Sequence, residues 1–331
     1  MDEIEALCDG PSVWPTGSRQ RAVAALLELF GDEGPLKQAA MHFRWNFAEQ
    51  EAFLKHEFGV ATGLEGPALE RAMKRFAGSL PVLGVSPEIS QGVEASYWRF
   101  IRALDEHLAA GHAFLLGDAP CAGDFGLIGP LYAHLLRDPV PGFLLRTRFP
   151  RVAQYVERVM GADQVYQRPA VNGAGWLPDD AIPSTLIPLV AQALEEHWPV
   201  LQSTLHAVVQ RTRAPGADLT KELPRAVGSG EFVIGGCTGR RAFFAFDAWK
   251  LQRLVDKLDA TSRAWLGSVF GPRGSELAAL DMRSHICLEK RPGPNRASTI
   301  YVVPSNSSAS NTVQNRGGVH PGKTLVEQSK L

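Results

Sequence analysis

The composition of this 331-residue chain, with 45% hydrophobic and 21% charged residues, is that of an ordinary soluble globular protein with a sizeable core. Its formal net charge of −1 provides no field that would attract a nucleic acid or an anionic membrane surface, and we expect neither partner. Four scattered cysteines without C-x-x-C spacing argue against a zinc site and a disulfide framework. Because the sequence has no apolar run of about 18 residues and no secretion signal, we predict a cytoplasmic location.

The first part of the chain predicts helices that are separated by glycine and proline. Within each segment the apolar residues recur at intervals of three and four, and breakers stand at the ends. The predicted helices run over 1–7, 19–30, 41–58, 67–80 and 86–111. The segment over 41–58 is rich in aromatic residues, whereas the basic face of 67–80 is typical of an exposed helix.

The segment over 114–136 predicts a turn, a helix start and a buried helix in close succession. Cys121 follows the turn at the position of an N-cap, and Asp124 can accept a hydrogen bond from the backbone N–H at the helix start. Apolar side chains from Phe125 to Leu136 cover more than one face, which indicates a central helix buried on most sides. A thiol is a weak acceptor, so Cys121 should weaken the cap by up to about 1 kcal/mol without abolishing the helix.

This pattern, F-L-L-G-D-x-P-x-x-x-D-F followed by a buried helix, resembles the C-terminal all-helical domain of the glutathione S-transferase superfamily. In that family Ser or Thr stands where this chain has Cys121. The resemblance implies an all-α fold with a glutathione-transferase-like helical bundle over 18–162. It also implies that 1–17 are a remnant of the last thioredoxin-like helix and a linker, and that the rest of the thioredoxin-like domain is missing.

A helical extension is predicted over 163–281. Pro199 should kink or divide its helix over 184–211, and a small β-hairpin with its turn over 235–239 precedes a last helix from Asp247. The run E-F-x-I-G-G-x-T-G-R-R in this hairpin is similar to one that recurs in a bacterial subgroup of glutathione-transferase-like proteins. The remainder, 282–331, is rich in Ser, Asn, Pro and Gly, which predicts a disordered tail.

The family resemblance implies that the complete architecture conjugates glutathione to an electrophilic small molecule. Glutathione would be a co-substrate held by the thioredoxin-like domain, with no other cofactor, so we expect the isolated chain to be inactive. The helical domain would supply an apolar pocket for the electrophile, and the family architecture allows a homodimer. The residues that the resemblance assigns to the pocket wall are Met41, His42, Arg44, Trp45 and Trp98. Core packing explains the same residues, and that alternative stays open.

Two other functions compete with conjugation, namely a non-catalytic protein-interaction module and a carrier for apolar ligands. Cys121 at a helix N-terminus is also a candidate nucleophile, but the carboxylate of Asp124 opposes a thiolate, so a structural cap is the favoured interpretation. Cys237 lies in a glycine-rich turn without an identifiable His partner. His107 and His112 are predicted to point to different helix faces, and we expect no metal site.

Overall fold

The computed structural model describes residues 12–161, 175–282, 286–292 and 298–303. Helices dominate these residues, and the strands among them form two separate two-stranded antiparallel hairpins. This architecture confirms the predicted helical bundle with a helical extension and a small hairpin. The predicted helix over 1–7 and the chain beyond 303 lie outside the described residues. No helix in the described part of the chain is long and apolar enough to cross a bilayer.

Eight α-helices within 12–161 are joined by loops and 3₁₀ turns. They are α1 (Ser18–Glu33), α2 (Pro35–Trp45), α3 (Glu51–Thr62), α4 (Gly66–Ala77), α5 (Ser90–Ala109), α6 (Ala122–Pro130), α7 (Pro139–Arg148) and α8 (Pro150–Met160). A π-helical segment, Leu131–Leu136, continues α6.

Helix α1 lies in the centre of the bundle, where every residue from Ala22 to Gly31 is buried. Its backbone touches that of α6, since a Cβ on Gly31 would lie 2.4 Å from the carbonyl oxygen of Gly126. A Cβ on Gly126 would lie 2.4 Å from the Cα of Glu28. Gly31 is therefore a packing residue inside the helix and not the helix end that the sequence predicts.

The start of α6 is organised by the buried carboxylate of Asp124. The backbone N–H of Cys121 donates to Oδ2 at 2.8 Å, which satisfies a free donor at the helix start. Oδ1 accepts from the backbone N–H of Leu115 at 3.1 Å and from the hydroxyl of Tyr155 at 2.8 Å. One side chain thus joins the preceding loop, α6 and α8, and Cys121 occupies the N-cap position as predicted.

The prediction of a single helix over 41–58 is wrong, because α2 ends at Trp45 and α3 begins only at Glu51. The amide of Gln50 donates to the carbonyl oxygens of Phe43 and Arg44, the latter at 2.9 Å, and so satisfies the end of α2. Helix α7 has no predicted counterpart, since its proline-rich start indicates a loop. Pro139 instead occupies the first turn, where its missing N–H is harmless.

The extension contains five further α-helices and the two hairpins. The helices are α9 (Ile187–Gln192), α10 (Trp198–Arg213), α11 (Ala245–Asp256), α12 (Ala260–Val269) and α13 (Gly271–Ala279). The strands are β1 (Ala226–Ile234), β2 (Cys237–Phe244), β3 (Cys287–Pro292) and β4 (Ser298–Val303). The last helix predicted from Asp247 corresponds to α11, and α12 and α13 follow it.

Helices α9 and α10 are joined by a π-helical segment, Ala193–His197. Pro199 stands just after it and has no N–H to bond the carbonyl oxygen four residues earlier. The predicted disturbance at Pro199 therefore takes the form of a wider helical turn without a chain break.

The first hairpin turns at Gly235 and Gly236, which have φ values of 51° and 81°. These left-handed values favour glycine and suit a two-residue hairpin turn. A Cβ on Gly235 would also lie 2.1 Å from the carbonyl oxygen of Gly92 in α5. The G-G pair thus serves both the turn and the close approach of the hairpin to the bundle.

The second hairpin contradicts the disorder predicted from 282, within the part that the structure describes. Ile286, Leu288 and Ile300 are buried. The side chain of Gln252 in α11 accepts from the N–H of Leu288 at 2.8 Å and donates to its carbonyl oxygen at 3.0 Å. The apolar residues of this polar segment therefore extend the core that the bundle and the other helices share. The domain boundaries at 17/18 and 162/163 stay predictions.

Candidate functional site

A cleft of about 560 Å³ lies between α2, α3 and α4, and we call it the α2–α4 cleft. Both apolar and polar side chains line it. The apolar lining residues are Trp45, Phe47, Ala48, Leu54, Met73 and Ala77, and the polar ones are Arg44, Asn46, Glu51, Lys55, Glu70 and Lys74. Its size and its mixed lining suit a small organic molecule with an apolar body.

Arg44 lines the α2–α4 cleft and contacts the buried Asp138 and the half-buried His134 on its other side. Its Nη1 donates to Oδ1 of Asp138 at 3.2 Å and contacts Nδ1 of His134. The Arg44 side chain is 12% exposed and that of Asp138 only 1%. The guanidinium also lies 5.6 Å from the centre of the Phe58 ring. The cation is therefore fixed in position and points one face toward an aromatic ring.

Burial sets the protonation states in this cluster. Desolvation raises the pKa of Asp138 to about 6, although Arg44 and Arg137 oppose the rise. Desolvation and the charge of Arg44 lower the pKa of His134 to about 4. At neutral pH His134 is thus uncharged, and its Nδ1 accepts the hydrogen bond from Arg44.

Trp45 also lines the cleft, and it begins a row of three aromatic rings. Its ring lies 5.5 Å from the ring of Phe58, which in turn lies 5.3 Å from the ring of Phe76. Phe76 is 56% exposed. Helices α3 and α4, which carry Phe58 and Phe76, bury only Leu54 and Met73.

The other three predicted pocket residues do not line this cleft. His42 is buried, with Nε2 2.9 Å from Oε1 of Glu94 and Nδ1 2.8 Å from the amide of Asn46. Trp98 packs against Phe149, with their ring centres 5.8 Å apart, and Met41 is half-buried against the core. The structure therefore brings Arg44 and Trp45 together. The binding role of all five residues stays a prediction.

Sequence reasoning missed the residues that α3 and α4 contribute to the cleft. The basic helix over 67–80 indicates an exposed surface, yet Met73 on its one buried side faces the cleft. The spacing of Leu69, Met73 and Phe76 by four and three residues was the available signal, because apolar residues at this spacing mark the side of a helix that packs.

Cys121 is unsuited to a nucleophilic role. Its side chain is completely buried. Desolvation and the neighbouring carboxylate of Asp124 raise the pKa of the thiol well above its usual value. The reactive thiolate is therefore disfavoured, which favours a structural role for Cys121.

The predicted separation of His107 and His112 is wrong. Their rings stack with centres 4.6 Å apart, because α5 ends at Ala109 and Gly111 turns the chain back with a φ of 97°. His107 is buried, and its Nδ1 lies 2.9 Å from the hydroxyl of Thr185. In the described ranges no group of three or more His, Cys, Asp or Glu residues could hold a metal ion.

Residues 87–158 match the family model for the glutathione S-transferase C-terminal domain. This segment is therefore similar to a glutathione S-transferase C-terminal domain. The chain matches no curated protein and no solved structure. The matched segment contains α5, α6, α7 and most of α8, and with them Trp98, Cys121 and Asp124. It also contains His134 and Asp138, so the groups that hold Arg44 in the cleft lie within the matched segment.

Proposed function

We propose that this glutathione-transferase-like protein binds an apolar electrophilic small molecule in the α2–α4 cleft, for conjugation to glutathione. The observation that carries the proposal is the position of Arg44, which lines a cleft of mixed apolar and polar lining while residues of the matched segment hold it. A fixed cation beside aromatic rings suits a polarised aromatic electrophile, whose electron-rich substituents it can contact.

We also propose that the isolated chain does not conjugate glutathione. By family resemblance the tripeptide is held by a thioredoxin-like domain. The strands within the described ranges form two hairpins of two strands each. A further domain or subunit would then have to bind glutathione next to the cleft. A cytoplasmic location belongs to the same proposal.

Dye binding tests the cleft. Nile red should gain fluorescence on mixing with the folded chain, and Trp45→Ala should weaken its binding about tenfold by removing an aromatic wall. Trp265→Ala is the matched control, because Trp265 is also half-buried but lies in α12 and packs on Phe270. Equal binding by both variants would place the dye elsewhere.

A second candidate function is a non-catalytic interaction or ligand-binding module. It is favoured by the outer side of α3 and α4, where Val60 is 73% exposed and Phe76 also reaches solvent. Light scattering would reveal a homodimer, and turnover of a chlorodinitrobenzene with glutathione would reveal catalysis. Dye binding without turnover, even after a thioredoxin-like domain is fused in front of the chain, favours the module.

A further inference from the structure

A second cleft, of about 520 Å³, lies where the corner between α1 and α2 meets the start of α11 and strand β4. We call it the α11 cleft, and it shares no lining residue with the α2–α4 cleft. Its apolar lining residues are Leu83, Leu223, Pro224, Phe244, Ala245, Phe246 and Ile300. Its charged lining residues are Glu33, Lys37, Glu222, Arg225 and Asp247.

Asp247 is the group in this cleft whose hydrogen bonding is incomplete. Its side chain is 0% exposed, and Oδ2 lies 3.4 Å from Nη2 of Arg241. Among the described residues no N–H or hydroxyl group donates to Oδ1, and the Asp247 carboxyl group shares a hydrogen bond with the carboxyl group of Glu33. A buried carboxylate oxygen without a donor is costly, so this atom marks a place where a donor from outside the chain would be stabilised.

A second carboxyl group, that of Glu33 at the end of α1, faces Asp247. Glu33 is paired with Lys37 of α2 at 2.6 Å, and Arg241 of β2 is the nearest cation to Asp247. His197 lies near Arg241 and is uncharged at neutral pH, because burial lowers its pKa to about 3. Burial and the charge of Glu33 raise the pKa of Asp247 to about 7, although Arg241 and Lys37 oppose the rise.

We propose that the α11 cleft binds a small apolar molecule with a protonated amine, whose ammonium group donates to Oδ1 of Asp247. An ammonium group also relieves the repulsion between two neighbouring carboxylates. Phe246 and Ile300 offer apolar surface to the body of the ligand. The site is separate from the one proposed for the electrophile.

Binding of the amine would be coupled to release of a proton. Below neutral pH Asp247 carries a proton, and the ammonium group can take its place only if that proton leaves to solvent. The ligand keeps its own proton throughout, so the carboxylate and the ammonium meet as an ion pair. With the pKa of Asp247 at about 7, the apparent affinity should be about tenfold higher at pH 8 than at pH 6.

Titration with 2-phenylethylamine, followed by NMR at pH 6 and pH 8, tests the proposal. We expect shifts in the amide signals of Leu223 and Ile300, the tenfold pH effect, and weaker binding of 2-phenylethanol and 3-phenylpropionate. Asp247→Asn should lower the affinity for the amine at least about tenfold and remove its pH dependence. The exposed Asp118→Asn and the cleft variant Trp45→Ala should bind the amine as the unaltered chain does.

The proposal is overturned if the amine does not bind, if the alcohol or the acid binds as well, or if Asp247→Asn retains the affinity. Circular dichroism shows whether Asp247→Asn is folded. If it is not, Glu222→Gln at the exposed rim replaces it and should weaken amine binding a few-fold. In either case the proposal is also overturned if the unaltered chain binds the amine with the same affinity at pH 6 and at pH 8.

Discussion

A single buried carboxylate, that of Asp124, connects the three elements around the start of α6. It accepts hydrogen bonds from Cys121, Leu115 and Tyr155, and all of these groups are shielded from water. Burial raises the pKa of Asp124, while the hydrogen bonds from Cys121, Tyr155 and Leu115 favour its charged form. Removing one donor leaves the carboxylate partly unsatisfied, which costs more than the hydrogen bond contributes in net terms.

Tyr155→Phe should therefore lower the free energy of unfolding by about 1 to 3 kcal/mol. Tyr97→Phe is a matched control, because the Tyr97 hydroxyl is equally buried but has no hydrogen-bond partner among the described residues. Loss of the Tyr97 hydroxyl should leave the free energy of unfolding unchanged or slightly higher. Urea unfolding of both variants gives the comparison, and an equal loss in the two would contradict the role given to Asp124.

Asp247 should make the free energy of unfolding depend on pH in the direction opposite to that of a carboxylate whose pKa is lowered by a salt bridge. Its pKa of about 7 in the folded state lies above the ordinary value of 3.8, so the folded chain holds a proton that the unfolded chain has lost. Its contribution to stability is present at low pH and is lost as pH rises toward 7. Asp247→Asn carries no such group.

We thus expect the stability of Asp247→Asn, relative to the unaltered chain, to rise by about 1 to 3 kcal/mol between pH 5 and pH 8. Asp118→Asn, an exposed substitution, should show no comparable trend. Urea unfolding at several pH values measures the difference. A relative stability that stays flat or falls with pH would show that the carboxyl group is ionised in the folded protein at low pH.

At the scale of elements, the first hairpin is attached to α5 through glycines that bring the two backbones together. A Cβ on Gly92 would lie 2.4 Å from the carbonyl oxygen of Ile234 and 2.7 Å from the Cβ of Cys237. Glu196 secures the same junction by accepting from the N–H of Gly235 at 3.0 Å. The contact leaves no room for a side chain.

Gly92→Ala should consequently destabilise the protein by about 2 kcal/mol or more, although alanine is normally the better helix former. Gly129→Ala in α6 is the control, because a Cβ there meets no atom within 4 Å. It should be neutral or stabilising by up to about 1 kcal/mol. Thermal unfolding compares the two variants, and a stable Gly92→Ala protein would mean that the hairpin does not rest on α5 in this way.

The elements that the sequence predicts well are those that local residues determine. Cys121 and Asp124 define the start of α6 by their spacing, and helix periodicity locates α1 and α5. The break after Trp45 was not predictable, because the side chain of Gln50 satisfies it from outside the helix. The second hairpin was missed because its composition is polar, while the few apolar side chains that decide its packing find partners far away in sequence.

The candidate sites were less predictable than the fold, since they depend on contacts between distant residues. Arg44 and Trp45 were identified through a family resemblance, but their partners Asp138 and Phe58 could not be. The approach of Glu33 to Asp247 joins the end of α1 to the start of α11 and leaves no local signal.

At the scale of the whole molecule, residues from both ends of the described chain share one core. Deleting 282–331 should lower the melting temperature by several degrees, because the buried side chains of Ile286, Leu288 and Ile300 are lost with it. Deleting 304–331 is the control, since it removes none of the described contacts. Equal melting temperatures for the two deletions would mean that the second hairpin adds nothing to stability.

Mapping where an apolar ligand binds tests directly whether the α2–α4 cleft is the binding site. A photoreactive benzophenone can be added to the folded chain, cross-linked by light and located by mass spectrometry of the peptides. We expect labels within 44–77, around the α2–α4 cleft, and a loss of these labels in Trp45→Ala but not in Trp265→Ala. Labelling confined to other segments, or unaffected by Trp45→Ala, would contradict it.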